Sequence, residues 1–254
     1  MNAVPPLAEA AHIALRCLDL TSLNDADTTA DVDRLCARAR GRFGEVAAVC
    51  VWPRLAAHAR AQLPASIRVA AVANFPAGGA EPGPALADVR AIVAAGAQEV
   101  DLVLPWPALL AGDEAAVRAL LAAARAACAG LTLKVIIESG ALAAPALIER
   151  ASQLALAAGA DFLKTSTGRH PVGATLPAVD AMLRVLRDHP QAGLKLAGGL
   201  RRVAELPPYL QRIAAARGAG ALQPERLRIG ASALLDEVEA VLARAAPASP
   251  AGGA

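Results

Sequence analysis

Short apolar runs of strand length alternate with longer, alanine-rich amphipathic segments along this chain, and the alternation repeats eight times. Strand followed by helix, over and over, argues for a parallel sheet whose crossovers are the helices. The expected strands are Leu15–Leu20, Val46–Trp52, Ile67–Asn74, Glu99–Leu104, Leu131–Glu138, the run ending at Lys164, Gly193–Ala197 and Leu227–Gly230. Helices are expected from Thr28 to about Arg40, from Pro53, from the loop at Phe75–Gly79 to about Ala95, and from Glu114 to about Ala129. Four more follow: Pro145 to Ala158, Leu176 to Asp188, one opened by Gly198-Gly199, and one from Ser232 to about Ala243. Eight such units argue for closure, and 254 residues is close to the ~250 typical of one eight-fold barrel. The expected fold is α/β: a single eight-stranded parallel (β/α)8 TIM barrel, one domain over residues 1–254, with 247–254 as a disordered tail.

Polar or reactive residues fall once per unit, at or near the end of each run: Asp19, Cys50, Asn74, Asp101, Lys134, Lys164, Lys195 and Ser232. Their spacings are 31, 24, 27, 33, 30, 31 and 37 residues. In a barrel the strand ends converge at one mouth, where the active site lies. Scattered structural charges have no reason to keep that phase.

Three of these residues are lysines within apolar strands, and Lys164 is followed at once by Thr165-Ser166-Thr167-Gly168. Strand alternation places Lys164 on the face of Phe162, pointing inward. A buried ammonium is costly unless it is paired or has lost its proton, and a neutral lysine attacks carbonyls. A lysine in such a place can also snorkel to solvent or serve an ordinary ion pair. Bringing one from its usual ~10.4 down to roughly 7–8 takes about 4 kcal/mol of differential interaction, which burial and a neighbouring cation can supply. Asp101 is placed to hold one lysine charged and to pass protons. Cys50, with no base beside it in sequence, reads as a buried, inert thiol.

For an anion, the glycines at Gly198-Gly199 and Gly230-Ala231-Ser232 each precede an expected helix and offer free backbone N–H groups at its positive end. Thr165, Gly168 and Arg169, on the sixth loop, add a hydroxyl, a bare amide and a guanidinium. No metal and no cofactor are expected, because His12, His58, His170 and His189 are isolated and no ligand spacing appears.

Composition narrows the partners. Net charge is +2 with both signs interspersed, so there is no footprint for nucleic acid. Charges break every long apolar run before membrane-spanning length, and Met1–Ala14 is interrupted by Glu9 and lacks the basic start of a signal peptide. Cys17, Cys36, Cys50 and Cys128 show no CxxC pairing and read as free thiols. A cytoplasmic location is expected.

Several stretches together resemble deoxyribose-phosphate aldolases. They are Asp19-Leu-Thr-Ser-Leu-Asn24, Asn74-Phe-Pro76, Glu99-Val-Asp101, Leu133-Lys-Val-Ile-Ile-Glu-Ser-Gly140, Gly159–Gly168, Lys195–Gly199 and Gly230-Ala-Ser232. The resemblance is collinear from about Leu15 to Leu235 and touches every strand. It implies a metal-free class I aldolase, a lyase of deoxyribonucleotide breakdown. Such an enzyme cleaves 2-deoxy-D-ribose 5-phosphate to glyceraldehyde 3-phosphate and acetaldehyde. It also implies that Lys164 forms the Schiff base, that Lys195 perturbs it and shares proton transfer with Asp101, and that Lys134 belongs to the same charge network. Asp19 completes the expected catalytic set. The chain departs from the family pattern at Arg169, Ala233 and Ala77, and Tyr209 is its only tyrosine. The expected partners are phosphosugar and aldehyde substrates and a second copy in a homodimer. Two other readings stay open here: another lysine-dependent barrel aldolase of the transaldolase type, and a non-catalytic phosphosugar-binding barrel.

Overall fold

The computed structural model describes residues 4–246; the expected tail at 247–254 lies outside them. Eight parallel strands close into a barrel in the sequential order of the chain: β1 Leu18–Thr21, β2 Ala48–Val51, β3 Arg68–Ala73, β4 Glu99–Val103, β5 Thr132–Ile136, β6 Phe162–Lys164, β7 Gly193–Ala197 and β8 Leu227–Ala231. β8 returns to pair with β1, so no edge is left open.

An unexpected helix, α1 (Leu7–Arg16), precedes the barrel. It takes Leu15 and Arg16, so the first strand starts at Leu18 rather than Leu15. The reason is periodicity: Ala10, Ala11, Ile13, Ala14 and Leu15 are all buried on one helical face. The crossover helices are α2 (Thr29–Arg38), α3 (Pro53–Gln62), α4 (Pro82–Ala94), α6 (Glu114–Ala127), α8 (Pro145–Ala157), α9 (Leu176–Leu186) and α10 (Pro207–Arg217), and α11 (Leu234–Ala245) follows the last strand. Two short helices, α5 (Trp106–Leu110) and α7 (Ser139–Leu142), and a small hairpin pairing Arg40–Gly41 with Gly44–Glu45 complete the pattern.

Capping residues explain several boundaries. Thr28 starts α2 through a reciprocal capping box with Asp31. Asp113 accepts from the Ala116 amide at the start of α6, and proline occupies the first turn of α3, α4, α8 and α10. The helix expected directly after Gly198-Gly199 does not begin there. A loop and a one-turn 3-10 helix (Val203–Glu205) intervene, and α10 starts at Pro207, where proline pre-sets the first helical turn. α11 likewise starts at Leu234, two residues after Ser232.

The outward faces of the strands form the main apolar core with the helices: Val49, Val69, Val100, Leu102, Leu133, Val135, Leu163, Leu194, Leu196 and Ile229 all belong to it. The alternate residues point into the barrel. On β2 and β3 these are Cys50, Ala70 and Val72, a small separate apolar cluster. On the other strands they are mostly charged: Asp19, Glu99, Asp101, Lys134, Lys164, Lys195 and Arg228 are each at most 7% exposed. A barrel interior is ordinarily filled by branched apolar side chains. This one is filled on one side by ions.

Gly193 is one place where this packing is tight. A side chain on it would overlap the ring of Phe162, its register partner across β6–β7. Gly193→Ala is expected to lower stability by about 1–3 kcal/mol through overpacking. Thermal melts should show it, and in a Phe162→Leu background the same change should cost less. Equal costs in both backgrounds would mean that the ring is not the constraint.

Candidate active site

Strand tilt brings together side chains from different positions along their strands. Lys164 ends β6, but Asp101, Lys134 and Lys195 sit in the middle of β4, β5 and β7, and Asp19 is second in β1. The sequence places them at or near the strand ends; in the structure Lys164 ends its strand and the other four lie within theirs, below the mouth. Register explains how they still meet, since Asp101 is level with Lys134 and Lys164 is level with Lys195.

Asp101 is the hub. Its Oδ2 accepts from Lys164 Nζ at 2.7 Å and from Lys195 Nζ at 2.6 Å, while Oδ1 accepts from Lys134 Nζ at 2.9 Å. Asp19 shares the load: its Oδ2 lies 2.5 Å from Lys195 Nζ and 3.2 Å from Lys134 Nζ. Below them Glu99 pairs with Lys134, and Arg228 bridges Asp19 and Glu99 at 2.8 Å each. Lys134, Lys164 and Lys195 are the only three lysines in the chain; every other permanent side-chain cation is arginine.

The three lysines differ in their partners, and that decides their ionisation. Lys134 and Lys195 each lose by burial but regain more from two or three carboxylates, so both are held above the usual lysine value. Lys164 contacts one carboxylate, and that one is shared. Burial, aided by the Lys195 ammonium, outweighs Asp101, so its affinity for a proton is lowered. Asp101 is also buried, but Lys134, Lys164 and Lys195 together hold its carboxyl well below the usual range. Cys50 points at this hub, with Sγ 3.9 Å from Asp101 Oδ2, and burial raises its thiol, so it stays protonated.

Above Lys164 the barrel opens into a cavity of about 560 Å³. Among the expected anion-binding residues, Gly168, Arg169, Gly198, Gly199, Gly230 and Ser232 line it. Gly198 and Gly199 both have positive φ, 86° and 85°, and Gly198 packs so closely on Gly173 that neither tolerates a side chain without movement. Gly230 has a second use: a Cβ there would come within 3.0 Å of Lys195 Cε, so its bareness gives the lysine its path.

Thr165 is turned away. Its hydroxyl donates to Ala197 O and accepts from Ala197 N, both at 2.9 Å, which makes it a strut between β6 and β7 rather than a cavity ligand. Asn74 is also structural, its amide nitrogen donating to Gly79 O and Val103 O. Arg169 reaches across the rim to Leu23 O and, at 2.8 Å, to Asp25 Oδ1.

Sequence reading missed several residues. Glu99 and Arg228 complete the ion network, yet neither was given a role. Arg228 carried the same signal as the lysines, a charge inside an apolar strand. The loop after β1 also lines the cavity through Thr21, Ser22 and Asn24, and Asp27 holds it by accepting from Ser22 Oγ, Asn24 N and Asn24 Nδ2. Arg201 also lines the cavity. Among the described residues, no group of three or more His, Cys, Asp or Glu side chains is arranged to hold a metal ion.

This arrangement, a poorly paired lysine under an open cavity with better-paired lysines beside it, suits carbonyl capture by an amine. Comparison with known proteins identifies the family. Residues 13–239 match the model of the family described as DeoC/LacD family aldolase. The chain is 45% identical over 249 residues to the deoxyribose-phosphate aldolase of Agrobacterium fabrum, covering 96% of each. Its fold superposes with a TM-score of 0.86 on an apo crystal structure from Toxoplasma gondii assigned as a deoxyribose-phosphate aldolase, at 25% identity over 96% of this chain and 99% of that one. A Coccidioides immitis structure with the same assignment gives a TM-score of 0.76 at 30% identity, over 94% and 91%. The chain belongs to the DeoC/LacD aldolase family.

Proposed function

We propose that this aldolase cleaves 2-deoxy-D-ribose 5-phosphate reversibly to D-glyceraldehyde 3-phosphate and acetaldehyde, with Lys164 as the Schiff-base residue. The observation that carries the assignment is the pairing asymmetry. Lys164 is the lysine with a single, shared carboxylate and the lysine that opens onto the cavity. Neutral Lys164 attacks C1 of the open-chain sugar, and loss of water leaves an iminium. With that electron sink in place, removal of the proton from the C3 hydroxyl breaks the C2–C3 bond and releases glyceraldehyde 3-phosphate. The enamine left on Lys164 takes a proton at C2, and hydrolysis frees acetaldehyde. Asp101 and Lys195, acting through a water, supply and accept these protons. Lys134 and Asp19 keep the pair charged.

We assign the phosphate to the part of the cavity lined by Gly198, Gly199, Gly230, Ser232, Gly168 and Arg169, where backbone amides and a guanidinium can serve an anion. Four buried free cysteines support a reducing, cytoplasmic setting. Among the described residues no helix is long and apolar enough to cross a membrane.

Trapping tests the central residue. Incubation with acetaldehyde and borohydride should add one reduced ethyl group, mapping to Lys164, with yield rising as pH climbs toward, but below, the usual lysine value of ~10.4. A label on Lys134 or Lys195 contradicts the assignment.

Substrate kinetics test the anion site. Arg169→Ala should raise KM for the phosphorylated sugar roughly ten- to hundred-fold, the loss of one charge-assisted contact, with little change for free deoxyribose. Equal weakening of both would leave the phosphate to the backbone amides and Ser232.

The homodimer is tested by sedimentation equilibrium. One species at twice the chain's mass supports it, and a species at the chain's own mass overturns it.

A further inference from the structure

The cavity above Lys164 has a counterpart at the other end of the barrel. A second cavity of about 540 Å³ opens among the strands' N-terminal ends, and Arg228 and Glu99 line it. Neither residue lines the upper cavity, so neither can touch the substrate placed there. Both are nonetheless built into the ion network with more contacts than solvent exposure would require. Arg228 Nη1 donates to Asp19 Oδ1 at 2.8 Å and to Glu99 Oε2 at 3.1 Å, Nη2 to Glu99 Oε1 at 2.8 Å, and Nε to Pro224 O at 2.7 Å. Its guanidinium also lies 5.6 Å from the centre of the Phe162 ring.

Charge balance gives these contacts a consequence. The interior holds four cationic side chains, Lys134, Lys164, Lys195 and Arg228, against three carboxylates, Asp19, Glu99 and Asp101. A buried set with one cation in excess relieves itself by releasing a proton, and arginine does not release one. Among the lysines, Lys164 is held least. The other groups facing it are Asp101 from β4, Lys195 from β7 and the Cys50 thiol from β2.

We propose that Arg228 is a positioning residue for the Schiff-base step: by claiming Asp19 and Glu99 from below, it makes Lys164 the excess cation of the barrel interior. Without Arg228, three lysines would face three carboxylates. Asp19 would be freed to serve Lys195 and Lys134, Asp101 would be left to Lys164, and Lys164 would keep its proton. Glu99 acts in the opposite sense. Without it, Lys134 leans on Asp101 and Asp19, and Lys164 holds its proton less well. The inference rests on Lys164 being the Schiff-base lysine, which the position of the borohydride label tests separately.

The experiment is the pH midpoint of borohydride trapping with acetaldehyde, read by mass spectrometry at the Lys164 peptide, with kcat/KM profiles alongside. Arg228→Met should raise the midpoint by about one unit or more, in the range that a nearby charge produces, while Arg228→Lys should hold it near that of the parent. Glu99→Gln should lower it. The double variant, Arg228→Met with Glu99→Gln, restores one cation in excess and should bring the midpoint back toward the parent value. Loosening of the barrel cannot move two single variants in opposite directions and then restore the pair. Should Arg228→Met fail to fold, the downward shift of Glu99→Gln and its reversal in the double variant still decide the matter. Midpoints that stay put, or single variants that shift the same way, would overturn the proposal even with the label on Lys164.

Discussion

One carboxylate serving three ammonium groups is the constraint on which the rest of this structure depends. Asp101 lies fully buried between Lys134, Lys164 and Lys195, with every contact at 2.9 Å or less. Burying an unpaired ion costs several kcal/mol, so a shared anion must be supplemented or one partner must give up its charge. Asp19 supplements Lys134 and Lys195, Glu99 supplements Lys134, and Lys164 receives nothing more. Geometry therefore separates three chemically identical side chains into two well-paired cations and one that holds its proton less firmly.

The fold serves that separation in specific ways. Gly230 leaves room for the Lys195 stem, and Gly193 leaves room for the Phe162 ring on which Arg228 lies. Thr165 pins the end of β6 to β7 immediately after Lys164, which limits where the lysine can point. Glu138, buried and with φ of 53°, accepts from the Thr167 hydroxyl at 2.5 Å and so ties the loop after β5 to the loop after β6. Backbone in that region costs about 1–3 kcal/mol for a residue with a side chain and persists only where surroundings over-determine it. The strain sits beside the cavity, which Thr167 lines.

The barrel was legible in the sequence because strand and helix periodicities differ and alternate through all eight units. Lys134, Lys164 and Lys195 were legible because a cation inside an apolar strand has few structural excuses. Arg228 offered the same signal, but Arg226 two residues earlier makes the segment read as a solvated strand entrance. Glu99 stands at a strand start, where charges ordinarily meet water. The depth of the site was not legible: strand tilt, which puts mid-strand Asp101 against strand-end Lys164, is a property of the closed barrel and not of any one segment. α1 was hidden because its apolar face runs on into the first strand. The loop between Gly199 and α10 was misjudged because the glycines looked like a helix start, while the operative signal was the pair Pro207-Pro208.

Because the chain has only three lysines, the central claim is open to direct observation. Protein labelled with ¹³C at the lysine ε-carbons should give three signals, assigned by Lys→Arg substitution and followed through a pH titration. The pairing asymmetry predicts that the Lys164 signal titrates below ~10.4, the ordinary lysine value, while those of Lys134 and Lys195 remain charged beyond it. A Lys164 signal that stays charged through the ordinary lysine range, or a Lys195 signal that loses its proton first, would contradict it.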